Sequence, residues 1–266
     1  MQAEDRRVLR ALRAARPRIV RAAELLRDTY LSGGDCLLFG AGTSGRLAVL
    51  EAAELPPTFG TDPKRVRAIV AGGRSAVFRA REGAEDRRDE GAREARKATR
   101  GDLVIGVSAS SVTPFVRGAL EAARRQGART VLVTASRSGD ALRAAADVVI
   151  LLAVGPEVVA GSTRLKAGTA TKLALNQITT AAFASAGKVF GPWMVDLRAG
   201  SAKLRDRSVR IVGAATGRSP AAARALLSRA KGDVKAAIVM GRAGVSLPEA
   251  RQRLSRAKGD LRRALE

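Results

Sequence analysis

The 266-residue sequence contains no histidine and only one cysteine, Cys36. Without histidine, no Ser-His-Asp or Cys-His arrangement, no imidazole proton shuttle and no His-built zinc or haem site can be assembled. Acid–base chemistry therefore falls to Glu, Asp, Lys, Tyr or water. A lone cysteine excludes disulfides within the chain and Cys-cluster metal sites, which suits a reducing compartment. Aromatic residues are 3% of the chain, leaving few platforms on which nucleobases could stack. Long apolar runs are missing too. The longest, Val148 to Val154, is far below the ~18 residues needed to cross a bilayer, and the start MQAEDRRVLR leads into no signal-peptide apolar region. These absences predict a soluble, cytoplasmic protein with no metal site and no membrane partner.

What is abundant is positive charge, 48 Lys+Arg against 25 Asp+Glu, a net +23. Most of it is Arg interleaved with Ala and acidic residues along helical patterns, which reads as solvated helix faces. The expectation is attraction to anionic, phosphorylated small molecules, with no specific nucleic-acid partner. Apolar residues make up 46%, enough for a conventional core, and a typical domain length of roughly 150 residues predicts one large and one small domain.

From Glu4 to about Tyr30, apolar residues recur at steps of three and four, a helix that Pro17 is expected to divide. After Asp35 the pattern becomes alternating: short apolar runs at CLLF (36), VRAIVAGG (66), DLVIGV (102), TVLVTA (130) and DVVILLAV (147) are separated by helical stretches. Five such runs predict an α/β fold, a doubly wound five-stranded parallel sheet with flanking helices. A nearly uncharged helix is expected from about Leu165 to Ala186, buried in the core or against a second subunit. Residues 201–266 carry 16 basic and 5 acidic side chains, and LSRAKGD occurs at Leu227–Asp233 and again at Leu254–Asp260. The organisation expected is a large domain over 1–207 and a small bundle of short helices over 208–266, with Gly232 and Gly259 at helix ends.

In a doubly wound sheet, ligands bind beyond the carboxyl ends of the strands. The first strand ends in Phe39-Gly40-Ala41-Gly42-Thr43-Ser44-Gly45-Arg46, whose glycines imitate a G-x-G-x-x-G dinucleotide fingerprint. The second strand lacks the acidic residue a dinucleotide would need. Thr43 and Ser44 instead put hydroxyls at a helix N-terminus, which favours a sugar phosphate over a dinucleotide. The third strand ends in a second hydroxyl-rich turn, Ser108-Ala109-Ser110-Ser111-Val112-Thr113-Pro114. Either turn alone would read as an ordinary helix cap, whereas two on adjacent strand ends read as one anion site. Glu54 and Glu85, taken singly, look like surface carboxylates. With histidine absent, two carboxylates near a phosphate site become the natural acid and base.

The strings GAGTSGRLAVLEAAELPPTFG (40–60), EGAED (82–86), GPEVVAGSTRLKAGTATK (155–172) and GKVFGPWMVDL (187–197) resemble the N-acetylmuramic acid 6-phosphate etherases. The resemblance runs from about residue 20 to the C-terminus. It implies the sugar isomerase (SIS) fold with a small C-terminal helical domain, and a cytosolic homodimer that needs no cofactor. It also implies a lyase that cleaves the D-lactyl ether of N-acetylmuramic acid 6-phosphate. By this resemblance Glu54 is the acid and Glu85 its catalytic partner, Ser108, Ser110 and Thr113 hold the phosphate, and Thr43 and Ser44 line the sugar side. The family pattern is Ser-Gly-Arg-Thr where this sequence has Ser110-Ser111-Val112-Thr113, so a glycine and a cation are both replaced. The sequence also starts later than the family pattern, short of an N-terminal segment that would bear on the dimer and the site. The strings GTSGRLA and GSTRLKAGTA further resemble the glucokinase regulatory protein, which implies the alternative of a sugar-phosphate-sensing binder without turnover. An aldose–ketose isomerase is a third reading, weakened by the missing histidine.

Overall fold

The computed structural model describes residues 1–197 and 202–266. Cα packing divides them into two compact units, Met1–Ala53 with Asp62–Ala182, and Glu54–Thr61 with Phe183–Glu266.

The first unit is built on five parallel strands, β1 (Cys36–Gly40), β2 (Val66–Val70), β3 (Leu103–Val107), β4 (Arg129–Thr134) and β5 (Val148–Leu151), in the order β2-β1-β3-β4-β5. These are the five apolar runs expected from the sequence. The central strands β1 and β3 are buried at every position, whereas the edge strands β2 and β5 carry partly exposed residues and, in β2, the exposed Arg67. That contrast follows from the architecture, since interior parallel strands are covered on both faces and must be apolar throughout. One face holds a core of Phe39, Val104, Phe115, Leu120 and Leu132, with the rings of Phe39 and Phe115 5.9 Å apart.

Helix α1 (Gln2–Leu31) packs against β1, β3 and β5. It runs unbroken through Pro17, contrary to the division expected there. Proline inside a helix costs about 3 kcal/mol. The apolar stripe on both sides of it, with Leu12, Ala15, Ile19 and Ala22 all buried, holds one continuous axis. The remaining helices of this unit are α2 (Gly42–Phe59, whose last residues belong to the second unit), α3 (Ser75–Phe78), α4 (Arg88–Ala95), α5 (Pro114–Arg125), α6 (Asp140–Ala144) and α7 (Lys166–Phe183). Helix α7 buries Ala170, Ala174, Ile178 and Ala182 and exposes Lys172, Gln177 and Thr180, so the nearly uncharged helix is one-sided. Its C-terminal end passes into a π-type turn at Ala184–Lys188.

The second unit continues with a short hairpin, β6 (Val189–Phe190) with β7 (Trp193–Met194), which the sequence reading did not include. Helices α8 (Ala202–Thr216), α9 (Pro220–Arg229), α10 (Val234–Ala243), α11 (Leu247–Arg256) and α12 (Leu261–Leu265) follow. The repeated LSRAKGD string is a repeated structure. In each copy a serine caps the first helix (Ser219, Ser246), Lys and Gly take left-handed backbone (φ 55° and 82° at Lys231-Gly232, 51° and 80° at Lys258-Gly259), and an aspartate (Asp233, Asp260) caps the next helix. Between helices the Asp196 carboxylate accepts from Lys188 Nζ at 3.2 Å and Lys235 Nζ at 2.8 Å, and Lys235 also donates to the Gly259 carbonyl. Among the described residues no helix is long and apolar enough to cross a membrane.

Candidate active site

The strand order places a topological switch between β1 and β3, where the crossovers leave in opposite directions and open a crevice beyond the carboxyl ends. The turns after these two strands therefore stand side by side. After β1, Gly42 adopts φ +52°, and a Cβ on Gly45 would lie 2.7 Å from Val70 and 2.8 Å from the Gly40 carbonyl oxygen. The glycines let the first turn of α2 press against the strand ends, so its N-terminal amides and the hydroxyls of Thr43 and Ser44 face the crevice. Arg46, on the next turn, donates from Nε to the Val77 carbonyl at 2.8 Å and from Nη2 to the Ala76 carbonyl at 3.0 Å, tying α3 to α2.

A cleft of about 320 Å³ occupies this position. One wall is Gly42, Thr43, Ser44 and Arg46. A second is Arg81 and Glu82, from the segment that leads into the short 3-10 turn Ala84–Asp86, and Glu85 within that turn. A third is Ala109, Ser110 and Thr113, and Thr163 and several alanines also line it. Of the residues singled out from sequence, Thr43, Ser44, Glu85, Ser110 and Thr113 meet here. Ser108 does not line the cleft. It is buried, with its hydroxyl 2.8 Å from Thr113 Oγ1, and so orients a residue that does. Glu54 is not on the wall either. It is exposed on α2, where the second unit's segment Glu54–Thr61 begins.

Three contributions were missed at the sequence level. Thr163 reaches the cleft from the segment between β5 and α7, and Glu157 fixes that segment: its Oε2 accepts from the Lys166 amide at 3.0 Å and its Oε1 from the Ala167 amide at 2.9 Å. Glu51 is buried and accepts from Asn176 Nδ2 and Thr179 Oγ1, joining α2 to α7. A carboxylate between Leu47 and Leu55, one helical turn from each, is a legible signal for such a buried acid. Glu157 has no comparable signature. Lys166, buried at the start of α7, pairs with Glu4, and the hydrogen bond from Lys166 holds the Glu4 carboxyl below its usual range.

The third loop carries the departure from the family string. Ser111 adopts φ +61° and is fully buried, with its hydroxyl on Thr134 Oγ1. The left-handed region costs a non-glycine residue about 1–2 kcal/mol. Val112, beside it, is 62% exposed.

Solved structures share this architecture. The phosphoheptose isomerases of Neisseria gonorrhoeae and Francisella tularensis both align with TM-scores of 0.52. They are 19% and 17% identical, and the alignments cover 68% and 67% of this chain and 96% and 94% of theirs. Residues 18–124 match the family model described as the glucokinase regulatory protein N-terminal SIS domain. Strand order, crevice and these matches define a SIS-domain protein. Among curated proteins, the N-acetylmuramic acid 6-phosphate etherase of Symbiobacterium thermophilum is 50% identical over 242 residues, covering 91% of this chain and 80% of that protein. The Salinibacter ruber etherase is 49% identical over 240 residues, covering 89% and 77%. The chain belongs to the N-acetylmuramic acid 6-phosphate etherase family.

Proposed function

We propose that this chain is a carbon–oxygen lyase that cleaves the D-lactyl ether of N-acetylmuramic acid 6-phosphate, giving N-acetylglucosamine 6-phosphate and D-lactate in the cytoplasm. The observation that carries the reading is one cleft in which the Glu85 carboxylate shares the walls with two hydroxyl-bearing strand-to-helix turns. The amide-rich ends of α2 and α5, with Ser110 and Thr113, suit a phosphate, and Thr43 and Ser44 suit sugar hydroxyls.

The ether at C3 is a poor leaving group until C2 becomes acidic. In the open-chain sugar the aldehyde acidifies the C2 proton. Glu85 takes that proton, the C2–C3 double bond forms as the C3–O bond breaks, and lactate leaves with a proton from Glu54. Water then adds at C3, giving its proton to the Glu54 carboxylate, while Glu85 returns its proton to C2. The two carboxyls must work in opposite protonation states, which requires different surroundings. In this reading two copies pair, as the family resemblance implies, and the Glu54 of one serves the cleft of the other. Exposed apolar side chains at Leu50, Phe78, Val158 and Val159 supply surface for that pairing.

D-lactate release from N-acetylmuramic acid 6-phosphate tests the activity. Glu85→Gln should lower turnover at least about 100-fold and abolish C2 exchange in D2O, and Glu54→Ala should stop lactate loss while leaving exchange. Mixing the two inactive variants should restore part of the activity through mixed dimers, and no recovery would exclude shared sites. The SIS match to the glucokinase regulatory protein supports a second reading, a sugar-phosphate binder. Saturable binding of the same sugar phosphate without lactate release would select it.

A further inference from the structure

We propose that Ser111 is a positioning residue that sets phosphate affinity by pinning the back of the loop between β3 and α5. The proposal rests on the reading of this cleft as a phosphate site. Ser110 and Thr113 line the cleft, and Ser111 between them points the other way, into the protein, with no exposed surface. Its hydroxyl meets Thr134 Oγ1 and lies 3.3 Å from the Ser136 carbonyl oxygen. Thr134 itself closes β4, and its Oγ1 accepts from the Ser136 amide at 3.3 Å. Backbone hydrogen bonds carry the β3–β4 ladder just past the strand ends, from the Ser108 amide to Val133 at 3.0 Å and from the Ala135 amide to Ala109 at 3.1 Å. Beyond Ala109 the loop leaves the ladder, and the Ser111 side chain is what ties it to the segment after β4. That segment presses directly on it: a Cβ on Gly139 would sit 1.9 Å from the Ser111 carbonyl oxygen.

The backbone at Ser111 is left-handed, a conformation for which glycine is the default residue. If only the turn mattered, glycine would serve better. Serine keeps the strained conformation and adds a buried tether, so the loop is held in one shape before any ligand arrives. An anion then binds without the cost of ordering Ala109 to Thr113, and affinity rises by that saving.

Ser111→Gly separates the tether from the turn, because glycine meets the backbone requirement and lacks the hydroxyl. Thr134→Val removes the partner hydroxyl from outside the loop. Amide hydrogen exchange of residues 109–113 and the Kd for inorganic phosphate are measured for the wild type and both variants. Both variants should exchange about tenfold faster in the loop and bind phosphate about tenfold more weakly. With sugar phosphate as substrate, KM should rise while kcat stays within about twofold. Exchange and Kd within about twofold of wild type in Ser111→Gly would overturn the proposal, whatever the effect on melting temperature. If the wild type bound no phosphate, the reading of the cleft would fall, and the affinity claim with it. Loop exchange would then decide the pin alone, unchanged rates refuting it.

Discussion

Glu157 offers a direct test of how the cleft is assembled, because one carboxylate serves two backbone donors. The first turn of a helix leaves its amides without intrahelical partners, and in α7 the residues bearing two of them, Lys166 and Ala167, are buried. Glu157 satisfies both at 3.0 and 2.9 Å, and its charge sits at the positive end of an 18-residue helix. A hydrogen bond to a charged group contributes about 1.5–3 kcal/mol, and an orphaned buried donor costs about 1–3 kcal/mol. Water reaching the vacated space in Glu157→Ala offsets part of that loss, leaving about 2–3 kcal/mol. The loss is confined to one helix end, so a local readout is sharper than a global melt. Residue-resolved hydrogen exchange at Lys166 and Ala167 reads the local loss, which converts to roughly 30- to 150-fold faster exchange. Glu157→Gln keeps one good acceptor and should fall between. Thr163 lies between Glu157 and the helix, so KM for the sugar phosphate should rise with the exchange rate. Exchange changing less than about threefold in Glu157→Ala would show that the carboxylate is a bystander.

Two further predictions concern the helices beside the sheet. A Cβ on Gly91 of α4 would meet the Phe115 carbonyl oxygen at 1.9 Å, and one on Gly118 of α5 would meet the Arg88 carbonyl oxygen at 2.0 Å. Gly91→Ala and Gly118→Ala should therefore each destabilise by about 1–3 kcal/mol through overpacking, seen as an earlier thermal transition, and a loss under about 0.5 kcal/mol would refute that close approach. Glu121 is partly buried, which pushes its carboxyl upward, but the Arg88 and Arg117 guanidiniums outweigh burial and hold it below its usual value. A pKa depressed on folding gives stability that is present above the unfolded value and is lost as pH falls through the folded value. The melting-temperature gap between wild type and Glu121→Gln should thus shrink on acidification below about pH 4, and a gap independent of pH would contradict the pairing.

The sheet was legible because its strands are continuous apolar runs bounded by turn residues, a pattern that burial on both faces dictates. Its edges were legible for the complementary reason, with Arg67 inside the β2 run. Pro17 misled because the local rule for proline was weighed without the two-sided stripe of buried residues that outvotes it. The β6–β7 hairpin has only two residues in each strand, too short for any alternation to register. In the C-terminal unit the repeated AKGD string carried its own backbone, since a left-handed Lys-Gly pair followed by a capping aspartate is local chemistry that recurs wherever the string does.

The cleft divides along the same line. Thr43, Ser44, Ser110 and Thr113 could be read because each sits within a few residues of a strand end, and parallel topology sends all strand ends to one side. Glu157 could not, since it caps a helix that starts nine residues later, where no capping pattern reaches. Ser111 looked in the sequence like a loss, a flexible glycine replaced beside a missing cation. In three dimensions the replacement has a buried face that sequence does not display: the hydroxyl lies on Thr134, from the neighbouring strand. Hydroxyls in such a loop are thus of two kinds, those that line the cleft and those that brace the loop, from within or against the next strand. Ser108 and Ser111 belong to the second kind and Ser110 and Thr113 to the first, a division set by which way the chain turns after β3 and not by residue type.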